Sequence, residues 1–308
     1  MLKNNKRIVV LGDMIYDCFI WADHLPHMGE TVSGFDSGFF SGGKGANQAV
    51  QAARLGAEVY LISMVGDDDR GRFLCAELVK AGVNVSHVIM SKEHSTSTCC
   101  VHVDKEGNNA IIVAPMANEH ITREEILACR QLIESADVFM TQLQVNTEAV
   151  EIAVKIAYEA NVPIVLNPAP AKTISEEVFH MADFLTPNET EAEFYTGVTV
   201  TDENLEEITE RFRMFGARGV IITLGSRGAY YSVDGEQGIV PAFKIEPVDA
   251  TAAGDSFNAV FAYAVACGKS VSEAIRLGNA GGALTTTRKG SQVSMPDGNE
   301  IEKFILAR

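Results

Sequence analysis

Asp249-Ala-Thr-Ala-Ala-Gly-Asp255 leads directly into Ser256-Phe-Asn-Ala-Val-Phe-Ala-Tyr-Ala-Val265, whose apolar residues recur at helical spacing. The small residues Ala252, Ala253 and Gly254 allow close backbone approach to a ligand, and the helix start adds the positive end of a dipole. These features predict an anion site beside the carboxylate of Asp255. Such an arrangement suits phosphoryl transfer to an alcohol, with Asp255 as the base. The alternative is that Asp255 only caps the helix.

Short apolar runs alternate with helical patterns along most of the chain. This alternation predicts a doubly wound α/β fold, with a mostly parallel sheet and helices on both of its faces. The predicted strands are 7–12, 58–65, 136–141, 162–167, 182–186 and 219–224, and the predicted helices are 44–55, 70–81, 123–135, 147–160 and 205–215. In such folds the functional residues lie at the carboxyl ends of the strands.

Two segments, at about 14–40 and 97–114, break the alternation and resemble strands joined by Gly, Asp and Asn turns. We expect them to form a small β-sheet that projects from the larger one and covers the site as a lid. The sequence has neither an internal repeat nor a low-complexity linker. It therefore predicts one domain over residues 1–308, with the lid inserted into it.

The composition excludes several classes of partner. A net charge of −16 disfavours nucleic acid and anionic membranes, since both require clustered Lys and Arg. The six cysteines lack metal-type or redox-type spacing, and the first residues, Met-Leu-Lys-Asn-Asn-Lys-Arg, lack a signal sequence. We therefore expect a protein of the cytoplasm that acts on small molecules.

Two motifs near the N-terminus carry groups that suit sugar hydroxyls. Ser41-Gly-Gly-Lys-Gly-Ala-Asn47 begins a helix, and its glycines permit close approach while Lys44 and Asn47 supply donors. Gly12-Asp-Met-Ile-Tyr-Asp17 follows the first strand, so Asp17 is placed at the carboxyl edge. The structural alternatives are a tightly packed helix entry for the first motif and a turn-stabilising Asp for the second.

Three later motifs suit a nucleotide and its metal. Thr186-Pro-Asn-Glu-Thr-Glu191 places Asn188 and Glu191 one helical turn apart, which suits either a hydrated Mg²⁺ or a capping box. Thr223-Leu-Gly-Ser-Arg-Gly228 ends an apolar strand with small residues that allow a nucleotide to pass. The segment 279–294 is rich in Gly and Thr and could form one wall of an adenine pocket.

Six pieces of the chain resemble the ribokinase-like (PfkB-type) carbohydrate kinase family, in the order in which that family has them. They are Gly42-Gly-Lys-Gly-Ala-Asn-Gln-Ala49, Asn167-Pro-Ala-Pro-Ala171, Thr186-Pro-Asn-Glu-Thr-Glu-Ala-Glu193, Thr223-Leu-Gly-Ser-Arg-Gly228, Ala252-Ala-Gly-Asp255 and Thr287-Arg-Lys-Gly290. The resemblance covers essentially the whole length. It implies an ATP-dependent sugar kinase that uses Mg²⁺ and a monovalent cation such as K⁺, and a homodimer formed through the lid.

The resemblance also implies a role for each matching residue. Asp255 would be the base and the amides of Ala252, Ala253 and Gly254 the anion hole, while Glu191 would organise Mg²⁺ through water. The implied sugar-binding residues are Asp17, Gly43, Lys44 and Asn47, together with the positions of Ile15 and Gln144. The implied ATP-binding residues are Asn188, Thr223, Gly225, Ser226, Gly228, Gly254 and Asn279. The implied K⁺ site comprises Asp249, Thr251, Thr285, Arg288, Gly290 and Ser294, largely through main-chain carbonyls.

The chain departs from the family pattern at two sugar-side positions. Ile15 stands where the ribokinase pattern has Asn, and Gln144 stands where it has Glu. Losing an amide and a carboxylate from a polyol pocket leaves hydroxyls without partners, which changes the choice of substrate. Overall similarity makes ribose the first expected acceptor, and deoxyribose or another furanose the second.

Other classes of function are weighed against this one. A nucleoside kinase is the alternative within the kinases, since the same site can accept a ribose that carries a base. A non-catalytic sugar-binding or nucleotide-binding regulator would have no need of a base such as Asp255. A nicotinamide dehydrogenase would require Gly-x-Gly-x-x-Gly after the first strand, and the sequence lacks it there.

Overall fold

A computed structural model describes residues 5–308 of the protein, so the first four residues, on which the predicted lack of a signal sequence partly depends, lie outside the described residues. The strands of the large sheet are β1 (Arg7–Leu11), β4 (Glu58–Gly66), β5 (Val83–Ser91), β8 (Val138–Gln142), β9 (Ile164–Asn167), β10 (Phe184–Leu185), β11 (Gly219–Thr223), β12 (Ala229–Val233) and β13 (Glu236–Val240). The strands of the small sheet are β2 (Ile15–Ala22), β3 (Gly34–Gly42), β6 (Thr98–Val103) and β7 (Asn109–Ala114).

The α-helices connect these strands. They are α1 (Lys44–Arg54), α2 (Asp69–Lys80), α3 (Arg123–Ala128), α4 (Arg130–Glu134), α5 (Thr147–Glu159), α6 (Glu176–Met181), α7 (Glu189–Thr196), α8 (Leu205–Met214), α9 (Ala253–Ala266), α10 (Val271–Thr286) and α11 (Gly298–Leu306). Short 3-10 turns occur at Met116–His120, Gly225–Arg227 and Gln292–Ser294. Within residues 5–308, no helix is both long and apolar enough to cross a bilayer.

The large sheet has the order β13-β12-β11-β10-β9-β8-β1-β4-β5. All neighbouring strands from β11 to β5 are parallel, and β12 and β13 add an antiparallel edge. Because side chains alternate along a strand, Val9 and Leu11 join one core cluster while Ile8 and Val10 join the other. The helices α5 and α8 cover the first face, and α1, α9 and α10 cover the second. The predicted fold class is confirmed.

The chain reverses its direction of winding between β1 and its neighbour β8. Ligands in open α/β sheets bind at such a switch point, outside the carboxyl ends of the strands. Here Gly12 follows β1 and Gln142 ends β8. A Cβ at Gly12 would lie 2.2 Å from the side-chain oxygen of Gln142 and 2.6 Å from the Cα of Gly45. Glycine at these positions therefore lets α1 start directly over the end of β1.

The small sheet has the order β3-β2-β6-β7 and is built from the two segments that interrupt the alternation. The strands β2 and β6 are parallel, and the outer pairs are antiparallel. Ile15, Cys99 and Val101 form a buried cluster of their own on one face of this sheet, separate from the two main cores. The predicted projecting sheet is therefore present.

Three features of the secondary structure differ from the sequence prediction. The predicted helix 123–135 is broken at Cys129, whose φ of −90° and ψ of 3° leave the helical range, so it forms α3 and α4. The sequence analysis did not predict β5, β12 or β13. The strand predicted at 182–186 shortens to the two residues of β10.

We expect Gly45→Ala to destabilise the protein by about 1–3 kcal/mol, because overpacking of a close backbone contact forces shifts in the main chain. A Cβ at Gly45 would lie 2.6 Å from backbone atoms of both Gly12 and Asp13. Gly298→Ala is the matched control, since the nearest atom beyond its chain neighbours is the Leu55 oxygen at 4.0 Å. Urea unfolding measures both variants, and equal midpoints would contradict the role of Gly45.

Candidate active site

Asp255 lies in the first turn of α9 with only 5% of its surface exposed. Its carboxylate accepts hydrogen bonds from the side-chain amides of Asn47 (2.9 Å) and Gln48 (3.3 Å) on α1. The N-cap residue of α9, Ala252, makes no side-chain cap bond. Asp255 therefore bonds to a second helix rather than capping its own. Burial raises the pKa of Asp255, while Lys44, Asn47 and Gln48 act in the opposite direction.

The backbone before Asp255 leaves N–H groups free. Ala252 adopts a left-handed conformation with φ of 60°, and its carbonyl accepts the first intrahelical bond, from Ser256. Gly254 and Asp255 precede that bond, so their N–H groups have no intrahelical partner. The N–H of Ala253, which was expected in the anion hole with those of Ala252 and Gly254, instead donates to the Ala250 carbonyl at 3.2 Å. Apart from its chain neighbours and the backbone of its own helix, no atom of residues 5–308 lies within 4 Å of the position that a Cβ of Gly254 would occupy, so this side is open to a ligand.

The glycine pair that precedes α1 is flanked by two carboxylates. A Cβ at Gly42 would lie 2.0 Å from Oδ2 of Asp17, and a Cβ at Gly43 would lie 2.7 Å from Oδ2 of Asp13. Gly43 also has a φ of 97°, which favours glycine. Both positions therefore require glycine because an acidic side chain lies close to each, and Gly43 requires it also because of its φ.

Asp17 belongs to the face of the small sheet that also carries Ile15. Its register partner on β6 is Cys99, and Ile15 packs with Cys99 and Val101. Burial among these apolar groups raises the pKa of Asp17 to about 7, and the charge of Asp13 adds to the shift. Gln144 follows β8 and is half-buried. The sugar-side candidates thus combine one carboxylate with an apolar wall.

Lys44 is the cation among these acids. Asp255 makes the largest contribution to the raised pKa of Lys44, burial opposes it, and Glu191 and Asp13 add to it. Lys44 therefore remains charged at neutral pH. It offsets part of the negative charge that Asp255 and any bound phosphate would bring to this end of the sheet.

A chain of amide and hydroxyl side chains runs along the carboxyl ends of neighbouring strands. It begins at Gln142, whose amide donates to Gln48 at 2.6 Å, and continues from Gln48 to Asn167 at 3.4 Å. The remaining links are Asn167 to the Thr186 carbonyl, Thr186 to Asn258, and Asn258 to the Gly254 carbonyl. These bonds connect strands β8, β9 and β10 to the helix start that carries Asp255.

The predicted nucleotide-binding residues group around the ends of β10 and β11. Asn188 and Thr223 form an isolated parallel bridge, and Gly225 and Ser226 follow in an exposed turn. A Cβ at Gly228 would lie 2.1 Å from the Val240 carbonyl. The Asn279 amide donates to that same carbonyl at 3.0 Å and to the carbonyl of Pro241 at 3.2 Å. The end of β13 thus joins Asn279 to the Gly228 turn.

Glu191 forms the capping box that the sequence offered as an alternative to a metal site. Its Oε2 accepts the Asn188 N–H at 2.8 Å, and its own N–H donates to the Asn188 side chain. The other oxygen, Oε1, accepts no hydrogen bond within residues 5–308. Burial raises the pKa of Glu191, and the hydrogen bond from Asn188 and the charge of Lys44 oppose it. The free oxygen fits Mg²⁺ held through water, since that ion keeps most of its hydration shell.

The predicted K⁺-site residues are brought together in part. Asp249 accepts bonds from the N–H and hydroxyl of Thr251 through Oδ1, and from the Gly290 N–H through Oδ2. Burial raises the pKa of Asp249, but these bonds outweigh it and hold the pKa below its usual value. The other three side chains bond elsewhere: Thr285 to the Gly281 carbonyl, Arg288 to Glu300, and Ser294 to the Ser291 carbonyl. Asp249 is half-buried, and it is the one anionic side chain among these six residues, so a monovalent cation would approach its carboxylate.

Comparison with known proteins shows which family the chain belongs to. The sequence profile described as pfkB family carbohydrate kinase matches residues 5–298. The ribokinase of Haemophilus influenzae is 38% identical over 301 residues, which are 97% of this chain and 98% of that protein. The chain belongs to the pfkB family of carbohydrate kinases. It is therefore an ATP-dependent sugar kinase.

Two further relatives bear on its site. The ribokinase of Arabidopsis thaliana, solved in complex with ribose and ATP, superposes with a TM-score of 0.91 at 29% identity, over 98% of this chain and 99% of that one. The deoxyribokinase of Salmonella typhi is 29% identical over 300 residues, which are 97% of this chain and 98% of that protein.

The sequence analysis of this kinase missed several site residues. Gln48, Asn167 and Asn258 link the carboxyl ends of the strands to Asp255 and α9, and Asp13 places a further carboxylate there. Gln48 and Asn167 lie within quoted motifs, so their polar side chains beside glycine and proline were available as a signal. Asp13 directly follows Gly12, where an acid is typical of an ordinary turn.

We expect Asp255→Asn to lower kcat by about 10²–10⁴-fold, because an amide cannot accept the proton of the attacking hydroxyl. The KM values should change little, since the amide oxygen keeps one of the two bonds to α1. Steady-state release of ADP measures kcat, and calorimetry measures retained binding. Asp183→Asn is the matched control, because Asp183 holds the Ile164 N–H and Arg218, outside the residues described in this site. More than about a tenth of the wild-type kcat would remove Asp255 from this role.

Proposed function

We propose that this kinase transfers the γ-phosphoryl group of ATP to the primary hydroxyl of ribose. The observation that carries the proposal is the buried Asp255 carboxylate, held by Asn47 and Gln48 next to the unpartnered N–H groups at the start of α9. The identity to ribokinases and the superposition on a ribokinase that binds ribose and ATP support ribose as the acceptor.

In this proposal Asp255 orients the primary hydroxyl and accepts its proton as the new bond to phosphorus forms. The raised pKa of Asp255 makes the carboxylate a better base than a solvent-exposed aspartate. The N–H groups of Gly254 and Asp255 stabilise the negative charge of the transferred phosphoryl group, and the Lys44 cation adds to this. Asn188, Thr223, Gly225, Ser226, Gly228 and Asn279 would line the ATP site.

Glu191 would hold Mg²⁺ through water by its Oε1 oxygen. When bound, Mg²⁺ neutralises charge on the phosphate oxygens. The role of the chain itself is to fix that oxygen, which the capping box with Asn188 does. Within residues 5–308, no group of three or more acidic, histidine or cysteine side chains is placed to hold a metal directly. That arrangement agrees with an ion held by substrate and water.

A second acceptor, 2-deoxyribose, is favoured by the wall around Asp17. Ile15 is 4% exposed and packs with Cys99 and Val101. Because its side chain is apolar, it offers a sugar hydroxyl no hydrogen bond. A hydroxyl buried there without a partner costs about 1–3 kcal/mol. The deoxyribokinase relative supports this candidate at lower identity than the ribokinases.

We also propose that the kinase is a homodimer joined through the small sheet. That sheet exposes large apolar side chains on both faces, which monomeric proteins seldom leave uncovered. They are Ile20, Phe35, Phe39, Phe40, Ile111, Ile112 and Val113. The net charge of −16 argues against nucleic acid or an anionic membrane as the partner that covers them.

A cytoplasmic location is part of the proposal. All six cysteines are free thiols, as expected of a protein in a reducing compartment. ATP as the co-substrate points to the same compartment.

The acceptor is decided by comparing kcat/KM for ribose, 2-deoxyribose, other furanoses and nucleosides. We expect Ile15→Asn/Gln144→Glu to gain about 10-fold on ribose relative to 2-deoxyribose, because the two changes restore hydrogen-bonding partners. Coupled ADP release measures the ratio. A wild type that strongly prefers ribose, with no gain in the double variant, would show that its hydroxyls find partners elsewhere. A preference for nucleosides would contradict both sugars.

We expect activity to require a monovalent cation near Asp249. Such an ion would brace the loop before α9 without contacting the sugar. Replacing K⁺ by tetramethylammonium at equal ionic strength should therefore lower kcat while ATP still binds. Rates are measured by ADP release and ATP binding by calorimetry. Equal rates in the two salts would contradict a functional cation site.

A further inference from the structure

Asp13 is a fully buried carboxylate at the switch point that the proposed mechanism does not use. It has no exposed surface, and its Oδ1 accepts the Gly45 N–H at 2.9 Å while its own carbonyl accepts the Ala46 N–H at 3.0 Å. These two bonds satisfy N–H groups at the start of α1, whose N-cap residue Gly43 has no side chain to do so. One carboxylate oxygen and the main-chain carbonyl of Asp13 thus have a structural role.

The second oxygen, Oδ2, is buried and has no hydrogen-bond partner within residues 5–308. Leaving a buried acceptor unpaired is costly, and native structures seldom do so without a reason. The Asn47 Oδ1 oxygen on the next turn is unpaired in the same way. Both atoms are acceptors, so the group that would satisfy them must be a donor. Neither Asp17 nor Asp255 can donate as a carboxylate.

Oδ2 of Asp13 lies beside Gly43, one of the proposed sugar-binding residues. It faces the side of Gly43 where a side chain would be, while Asp17 faces the corresponding side of Gly42. The charge of Asp13 acts on two proposed site residues, Asp17 and Lys44. Burial raises the pKa of Asp13 to about 7, and the charge of Asp255 adds to the shift although the Gly45 N–H opposes it. The positive charge of Lys44 also lowers the pKa of Asp13, but it leaves Oδ2 without a hydrogen bond.

We propose that Asp13 is a sugar-binding residue whose Oδ2 accepts a hydrogen bond from a ring hydroxyl of the acceptor. The hydroxyl is a secondary or anomeric one, because the primary hydroxyl belongs to Asp255. The acceptor is therefore a polyol that carries a donor opposite Gly43, with Asn47 Oδ1 as the neighbouring acceptor. The inference rests on the proposed function for the position of the sugar.

Asp13→Asn separates binding from capping, because Asn keeps Oδ1 for the Gly45 N–H but replaces Oδ2 by a donor. Asp13→Ser is a second variant that keeps only a small acceptor. Asp137→Asn is the control, since that carboxylate holds the Arg7 N–H at the amino end of β8. Each protein is assayed with ribose and its 1-, 2- and 3-deoxy analogues, for KM, kcat and calorimetric binding, and its thermal midpoint is recorded.

We expect Asp13→Asn to lower kcat/KM by about 10- to 100-fold, mainly through KM, for every sugar that keeps the contacted hydroxyl. The analogue that lacks this hydroxyl should lose less than about 3-fold, and Asp137→Asn should lose nothing with any sugar. An equal loss for all four sugars, a loss in kcat alone, or no loss would overturn the proposal.

The failure of the proposed function would be recognised separately. If the wild type phosphorylates none of the four sugars but binds them, that function fails, and calorimetric binding to the wild type and Asp13→Asn still decides the role of Asp13. If the wild type binds none of them, both proposals fail. If the thermal midpoint of Asp13→Asn is much lower than that of the wild type, the comparison is repeated with Asp13→Ser. The role of Asp13 is then judged by which analogue escapes the loss in kcat/KM, not by the size of that loss.

Discussion

The contact between α1 and Asp255 is the constraint on which the rest of the site depends. A carboxylate 5% exposed at the start of a helix is stable only if donors surround it, and Asn47 and Gln48 supply two. Those amides reach Asp255 only if α1 begins directly over β1. That start in turn requires glycine at 12 and 45, where the two backbones meet. The Asp255 carboxylate, the start of α1 and the glycines at 12 and 45 therefore depend on one another.

In the proposed function, the same arrangement separates the nucleotide from the sugar. The nucleotide side is built from strand ends and turns that belong to the large sheet, such as Thr223 and the Gly228 turn. The proposed sugar side includes β2 and β6, whose buried cluster is distinct from the two main cores. Asp255 lies between them and is tied to the large sheet by the chain of side chains from Gln142 to Asn258.

Much of this could be predicted from the sequence, because the decisive signals are local. The alternation of apolar runs and helical patterns gave the fold class, and glycine-rich helix starts gave the positions of Asp255 and Lys44. What was missed depends on distant residues. Gln48 and Asp255 are 207 positions apart, and nothing near Asp13 reveals that its second oxygen has no partner. The strand β5 was missed because polar residues such as Asn84 and Ser86 interrupt its apolar pattern.

The separate buried cluster of the small sheet has a consequence for how the sugar specificity of related kinases can change. Substitutions at Ile15, Cys99 or Val101 disturb a small patch of packing and leave the cores of the large sheet intact. If this cluster forms the wall of the sugar pocket, as proposed, selection can change the accepted sugar at little cost to folding. Changes at Gly45, Gln48 or Asn167 would instead disturb the parts that every acceptor needs. Related kinases can thus come to phosphorylate different sugars while they keep the same phosphoryl-transfer chemistry.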